Sequence, residues 1–244
     1  MNNTFVFVAP MCNASDTLPQ MLYSLYAQSY SSWHLVLVDD VSSPIHKAIA
    51  ECTIEKFKTL GSDKVTVLWN EQKLWEVANV LQGTALCNDE DIVCRIDGDD
   101  YLCDLDALKI LNEVYKQTQC DAAWTKHRWF DDDGVTVYNI SAPLPENADV
   151  YKHPWVSSHL KTFKKRLLNS INDQNFRRWD GQYVTRAGDQ CLYLPILKQA
   201  KRKTFVPLVT YAYRCCMRPE TFQSDDAKLQ KREAEFIRAR GFVP

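Results

Sequence analysis

The sequence predicts an α/β protein whose central sheet is mostly parallel and flanked by helices. Three observations predict it. Short apolar runs alternate four times with segments of helical spacing in the first half of the chain. That alternation implies right-handed strand–helix–strand crossovers, the connection parallel strands require. Two of the apolar runs also end in acids, Asp39-Asp40 and Asp97-Gly98-Asp99-Asp100, at the carboxyl ends of strands where open α/β sheets bind ligands.

Taken in order, Phe5 to Ala9 reads as a buried strand ended by Pro10. Leu18, Met21, Leu22, Leu25 and Tyr26 share one face of a helix that Asp16 or Thr17 can cap. His34 to Asp39 is the second strand, and Ser42 or Ser43 opens a helix to about Leu60. Lys64 to Trp69 is the third strand, followed by a helix from about Trp75 to Cys87. Ile92 to Ile96 is the fourth, with a helix from about Leu105 to Gln117 after it.

The second half changes character. Ala122 to Phe130 and Val135 to Ile140 are extended, and Asp131-Asp132-Asp133-Gly134 between them is a hairpin signal whose acids read as a solvated turn. A proline-punctuated loop from Pro143 to Pro154 leads to Trp155-Val156-Ser157-Ser158-His159 and a short basic helix, Phe163 to Asn169. Asp180 to Gly188 reads as loop, Asp189 to Lys201 as helix, Thr204 to Val206 and Leu208 to Arg214 as strands. Asp225 to Arg240 is a charged helix with a thin apolar stripe at Leu229, Phe236 and Ile237; its charge run reads as a solvated face.

The 244 residues suit one large domain, and 45% hydrophobic residues with few glycines argue for an ordinary globular core. A net charge of −2 offers no basic field for nucleic acid. No apolar stretch approaches the roughly 20 residues a membrane helix needs, which leaves only peripheral membrane contact open. Phe5 to Ala9 is too short for a signal-peptide core and has no basic leader. The nine cysteines are odd in number and scattered, and Cys87, Cys94 and Cys191 sit inside apolar runs. Buried free thiols in a reducing, cytoplasmic compartment fit that pattern better than disulfides or zinc.

The Asp97–Asp100 run carries the chemistry. At the period-2 spacing of extended chain, Asp97 and Asp99 point the same way, and Gly98 between them lets a ligand or backbone come close. Three acids in four residues repel one another unless a cation or solvent compensates them. Mg²⁺ or Mn²⁺ suits carboxylate oxygens and keeps positions free for phosphate. A solvated acidic turn is the bland alternative, and the preceding buried strand weighs against it.

The ordered motifs F-V-F-V-A-P-M-C-N, L-V-L-V-D-D-V-S-S, the Asp-Gly-Asp-Asp run and A-G-D-Q-C-L-Y resemble the signatures of family 2 glycosyltransferases over nearly the whole chain, Phe5 to about Arg214. The resemblance implies a GT-A fold, a Rossmann-like sheet with a C-terminal acceptor-side extension. It divides a single domain, 1–244, into a nucleotide-sugar half (1–120), an acceptor and base half (121–214) and a helical tail (215–244). It implies inverting transfer of a sugar from a nucleotide-diphosphate sugar donor to a hydroxyl on a carbohydrate or glycoconjugate acceptor. Asp97, Asp99 and Asp100 match the metal motif, Asp99 as the foremost ligand and Asp97 near ribose or metal; His159 matches a downstream ligand of some metal-dependent relatives. Asp189 matches the general base, against a plain helix cap.

The resemblance also places Asp40, or Asp39 beside it, on the nucleotide base, and Pro10, Cys12 and Asn13 along base and ribose. Arg214 ends a late Tyr211-Tyr213-Arg214 strand that could approach the diphosphate. Asn79 matches a small-residue-rich motif whose arginine is missing here, with Lys73 as a substitute charge, and Gly188 stands where the family commonly has Glu. Trp124, Trp129, Trp155 and Trp179 are candidate acceptor platforms, with core packing expected for at least half of them. Lys161, Lys164 and Lys165 read as a solvated helix face. A silent binding module of the same fold is weakened by the intact acidic clusters, and a sugar nucleotidyltransferase by the lack of a Gly-rich phosphate loop in Ala9 to Ala14.

Overall fold

The computed structural model describes residues 2–59, 63–131, 134–136, 139–215 and 223–244. The four expected strand–helix pairs are present: β1 (Phe5–Met11), α1 (Leu18–Tyr26), β2 (Trp33–Asp39), α2 (Pro44–Lys58), β3 (Val65–Trp69), α3 (Trp75–Thr84), β4 (Ile92–Arg95) and, after a two-residue strand β5 (Tyr101–Leu102), α4 (Ala107–Thr118). The expected end of α2 at Leu60 lies outside the described residues. β6 (Ala122–Asp131), β7 (Gly134–Thr136), β8 (Lys161–Lys164), α5 (Gly188–Gln199), β9 (Lys203–Arg214) and α6 (Asp225–Arg240) complete the chain. Two short 3₁₀ helices, Lys165–Ser170 and Asp173–Phe176, lie between β8 and α5.

One nine-stranded sheet runs in the order β3-β2-β1-β4-β8-β6-β9-β5, with β7 on β6. Strands β1 to β4 pair in parallel. β8 is antiparallel to both β4 and β6, whereas β9 is parallel to β6 and antiparallel to β5. The sheet is therefore mixed on its far side, consistent with an α/β layer that carries an added half. Period-2 geometry divides the apolar runs between two faces. Phe5, Phe7, Leu35 and Leu37 pack with Leu18, Met21, Leu22 and Leu25 of α1 and Leu108 and Leu111 of α4. Val6, Val8, Val36 and Val38 pack with Val77 and Val80 of α3, Leu192 and Ile196 of α5, and Ile237 of α6. A sheet covered on both faces is why these strands read as continuous apolar runs.

Several expectations are corrected. Pro10 does not end β1, which continues to Met11. Val8 O accepts from Ile96 N on the β4 side. By alternation Pro10 faces the same side, where β4 pairing has stopped at Val8, so its missing N–H breaks no ladder bond. The helix expected from Phe163 to Asn169 starts later and is 3₁₀, Lys165–Ser170, because β8 takes Lys161–Lys164 to fill the gap between β4 and β6. The two late strands are one, and a register shift between Trp124 and Lys126 of β6 absorbs Pro207 and Leu208. The hairpin is formed by Asp131 and Gly134, while Asp132 and Asp133 lie outside the described residues, as do residues 137–138 of the second arm. The side chain of Thr17 does not cap α1; its hydroxyl donates to Ala14 O and, at 3.1 Å, to Gly98 O, which ties α1 to the acidic turn.

No disulfide joins the described cysteines, and Cys87, Cys94 and Cys191 are buried. No described helix is long and apolar enough to cross a membrane.

Candidate functional site

The site lies at the carboxyl ends of β1, β2 and β4, where the start of β8, the end of β9 and the first turn of α5 converge. Gly98 permits a close approach: a Cβ there would fall 2.8 Å from Met11 Cβ and 3.3 Å from Pro10 O. The glycine expected to admit a ligand or backbone thus admits the end of β1.

The three acids of the turn have different surroundings. Asp97 meets Arg95 at 2.8 Å. Asp100 is buried and accepts from the Tyr211 hydroxyl at 2.6 Å and from Arg214 N at 2.7 Å. Asp99 turns to solvent at the edge of the cleft. Desolvation within the cleft, then the Asp97 charge, pushes Asp99 up to about 6; burial, then the Asp97 and Asp99 charges, push Asp100 well above the usual carboxylate range. The cluster carries more negative charge than its surroundings neutralise, which is the condition a divalent cation relieves.

Carboxylate oxygens of Asp97 and Asp100 and a ring nitrogen of His159 lie within 4.8 Å of one another. His159 is buried and stacked against Tyr211 and Tyr213, at ring separations of 4.7 Å each. Burial and the nearby Lys161 hold it well below its ordinary pKa, hence neutral, the form in which imidazole binds metals. The carboxylates fit Mn²⁺ or Mg²⁺ directly. His159 would join them only if its lone pair were freed from Lys161, whose ammonium lies 3.2 Å from Nδ1. Asp99, expected as the foremost ligand, is outside this trio.

Asp189 stands opposite, in the first turn of α5. It is not the cap: Ala187 holds that position, without a side-chain cap bond. Lys161, 2% exposed, lies 2.7 Å from Asp189 Oδ1, and His159 Nε2 lies 3.8 Å from Oδ2. Burial would raise the Asp189 carboxyl, but Lys161, His159 and Arg95 hold it well below the usual range. Lys161 is therefore no part of a solvated helix face. It points inward from β8, and a buried ammonium is tolerated because a carboxylate meets it. Lys165 reaches Asp89 on the outside of the molecule.

At the other end, Pro10, Cys12 and Asn13 line a cavity of about 360 Å³ with Thr17, Asp97 and Asp99. Asn13 is left-handed (φ 54°), donates its N–H to the Ser42 hydroxyl oxygen and accepts from Ser43 N on its side-chain oxygen, both at 2.8 Å, so it clips β1 to the loop after β2. Asp40 is engaged by the chain itself: its carboxylate accepts from Leu74 N at 2.7 Å, Trp75 N at 3.0 Å and Asn70 at 3.2 Å, with Lys73 at 3.5 Å. Asn79, buried, accepts from Asn70 behind it. Burial would raise Asp40, but the Leu74, Asn79, Asn70 and Trp75 donors win and lower it. Asp39 Oδ2 accepts from Ser42 N, while its buried Oδ1 has no partner among the described residues. Lys73 thus reaches Asp40, and Asp39 is the member of the pair with an oxygen to spare.

Between these ends, Glu76, Arg95, Asp97, Asp99, Asp189 and Arg214 line a cavity of about 230 Å³. Arg214 spans the two regions, its Nε donating to Asp99 O and its guanidinium stacked on Phe130 at 4.5 Å. Beyond Asp189 a cavity of about 490 Å³ opens, walled by Trp129, Trp155, His127 and Tyr213 and by Gln230 and Lys231 of α6. Of the four tryptophans, only these two face it. Trp124 is core, and Trp179 packs on Phe236 between Arg178 and Arg232.

Sequence reading misplaced Lys161 on a solvated face and missed Glu76, Arg95 and Glu233. Arg95 interrupts an otherwise apolar strand, a signal that was present; Glu76 and Glu233 carried none beyond helical charge. Glu233 corrects the solvated reading of the tail: it is fully buried and accepts from Thr185, Arg186 and Ala187 N–H groups just before Asp189.

A curled mixed sheet with an acidic turn at its strand ends is the GT-A glycosyltransferase architecture. A model of "Glycosyl transferase family 2" matches residues 6–193, and the chain belongs to that family. Among solved structures, S. aureus TarS residues 1–349 in complex with UDP-GlcNAc is similar at 16% identity and TM-score 0.68, over 93% of this chain and 64% of that one. The mannosyltransferase PcManGT from Pyrobaculum calidifontis, in complex with GDP-Man and Mn²⁺, is similar at 15% identity and TM-score 0.67, over 100% of this chain and 66% of that one. The chain thus spans less than two thirds of the length of these structures, and 43% of a longer S. aureus TarS structure. No curated protein matches the sequence significantly.

Proposed function

We propose that the protein is a metal-dependent inverting glycosyltransferase that moves a sugar from a nucleotide-diphosphate sugar to a hydroxyl acceptor. One observation carries the reading: Asp189 and the Asp97–Asp100 turn face one cavity, which continues to Pro10, Cys12 and Asn13 on one side and to Trp129 and Trp155 on the other. The nucleoside would lie along Pro10, Cys12 and Asn13 beside Asp39 and Asp40, with Arg214 near the diphosphate. Residues 1–120 then serve the donor and 121–214 the acceptor and base, and the tail, 215–244, adds α6 to the acceptor wall.

In this reading the acceptor hydroxyl lies between Asp189 and the anomeric carbon. Its oxygen bonds to that carbon as the bond to the diphosphate oxygen breaks from the opposite face, and its proton passes to an Asp189 carboxylate oxygen. Lys161 keeps that carboxylate ionised and aimed. Mn²⁺ or Mg²⁺, held by Asp97, Asp100 and His159 with Asp99 at the cavity edge, would supply Lewis-acid stabilisation of charge growing on the departing diphosphate. Free buried thiols are compatible with a cytoplasmic setting.

The test is release of nucleoside diphosphate from a panel of common nucleotide sugars, with Mn²⁺ and with chelator. Release that depends on metal and rises with a sugar acceptor is expected. No release from any donor would leave the fold as a silent binding module.

A further inference from the structure

Gly188, directly before Asp189, is not required by backbone conformation, since its φ is not among the positive ones. It is required by space. A Cβ built there would fall 2.2 Å from Glu76 Cδ and 2.3 and 2.5 Å from its two oxygens. The carboxylate of Glu76, delivered from the first turn of α3, therefore fills the volume a side chain at 188 would take. Arg95 holds it from behind through Oε1 and holds Asp97 with its other amino group. Oε2 has no hydrogen-bond partner among the described residues. The side chain is 24% exposed and lines the cavity between Asp99 and Asp189, which has the room of about one sugar ring.

We propose that Glu76 contacts the substrate: its Oε2 accepts a hydrogen bond from a hydroxyl of the sugar held between Asp99 and Asp189. This rests on the transferase reading above. A carboxylate fixed by a buried guanidinium is a strong, directional acceptor, and a sugar lacking the matching hydroxyl leaves it unpaired and is rejected. Glu76 would thus help decide which sugar is accepted.

The experiment compares wild type with Glu76→Gln, using donors and acceptors in which single hydroxyls are replaced by hydrogen. Nucleoside diphosphate release by wild type is established first; its absence would count against the transferase reading and not against Glu76 in particular. With turnover in hand, one hydroxyl is expected whose removal lowers wild-type kcat/KM about 10- to 100-fold, while in Glu76→Gln the same removal costs less than about 3-fold. Equal penalties at every position in both enzymes would reduce Glu76 to a support for Arg95 and overturn the proposal. Gly188→Ala serves if Glu76→Gln does not fold. It leaves both charges in place and displaces the carboxylate, and it should change the penalty at that same hydroxyl; a uniform loss again overturns the proposal.

Discussion

Glu233 offers the sharpest test of how the tail helix serves the site. Its carboxylate, wholly removed from solvent, takes Arg186 N at 2.7 Å, Ala187 N at 3.1 Å, Thr185 N at 3.1 Å and the Thr185 hydroxyl at 3.0 Å, with Arg178 at 3.5 Å. These donors belong to the three residues that lead into α5, so the group fixes where Asp189 begins. Glu233→Ala leaves three backbone N–H groups without an acceptor in a place water does not reach. Removing one member of such a buried charged network destabilises by about 3–5 kcal/mol. For a chain of this length that lowers Tm by about 6–20 °C. Glu233→Gln keeps the shape and one acceptor oxygen, and should lose about 1–2 kcal/mol. Below the melting point of either variant, a base displaced by about 1 Å should slow transfer by roughly 10²-fold while donor affinity holds. Thermal denaturation and transfer rate, measured together, decide it. A Glu233→Ala protein that melts within 2 °C of wild type and transfers normally would refute both the energetic reasoning and the link from tail to base.

Asp40→Ala should lower stability by about 3 kcal/mol, since Leu74 N and Trp75 N lose a charged acceptor and Trp75 is held at φ 65°. Because the folded Asp40 titrates below its ordinary 3.8, this contribution is complete above that pH and is lost as pH falls through the lower folded value. Denaturant midpoints of wild type and Asp40→Asn should therefore differ by a constant amount from pH 7 to pH 4 and converge only below; convergence already at pH 6 would exclude the clamp. Asp189→Asn should cut acceptor transfer by roughly 10²–10⁴-fold and leave donor binding unchanged, because donor contacts do not need a proton acceptor. If donor affinity fell with it, Asp189 would belong to the donor site. Asp99→Ala should weaken, and not abolish, Mn²⁺-dependent donor affinity in calorimetric titration without lowering Tm, as its side chain faces solvent beside the Asp97, Asp100 and His159 trio. Undiminished affinity would remove Asp99 and leave Asp97, Asp100 and His159 as the holders.

The first half of the fold was legible because its information is local. Alternate residues of Phe5 to Ala9 and His34 to Asp39 face two apolar layers, so both faces demand hydrophobic side chains and the runs stand out. The acids after them were legible for the converse reason: a carboxylate without donors is costly between two apolar layers, so Asp39-Asp40 and Asp97–Asp100 mark the strand ends, where N–H and hydroxyl donors can meet them. The second half obeys other rules. Lys161 is a central sheet residue facing inward, and its partner Asp189 comes from a distant helix. In the sequence S-H-L-K-T-F-K-K the lysines look like a helix surface, and no local pattern separates the buried one from the half-buried pair. Glu233 is the same case on α6: it sits among Asp, Lys, Arg and Glu in a run that is otherwise surface, and only the three N–H groups near residue 186 distinguish it. Buried charges are stable only as pairs, and pairing over such separations leaves no periodic trace in either partner. Sites of this kind are built from such pairs because a charged group kept from water and held by another keeps its direction. The residues hardest to read from the chain are then the ones that aim Asp189 and Glu76, and the structure is needed to find them.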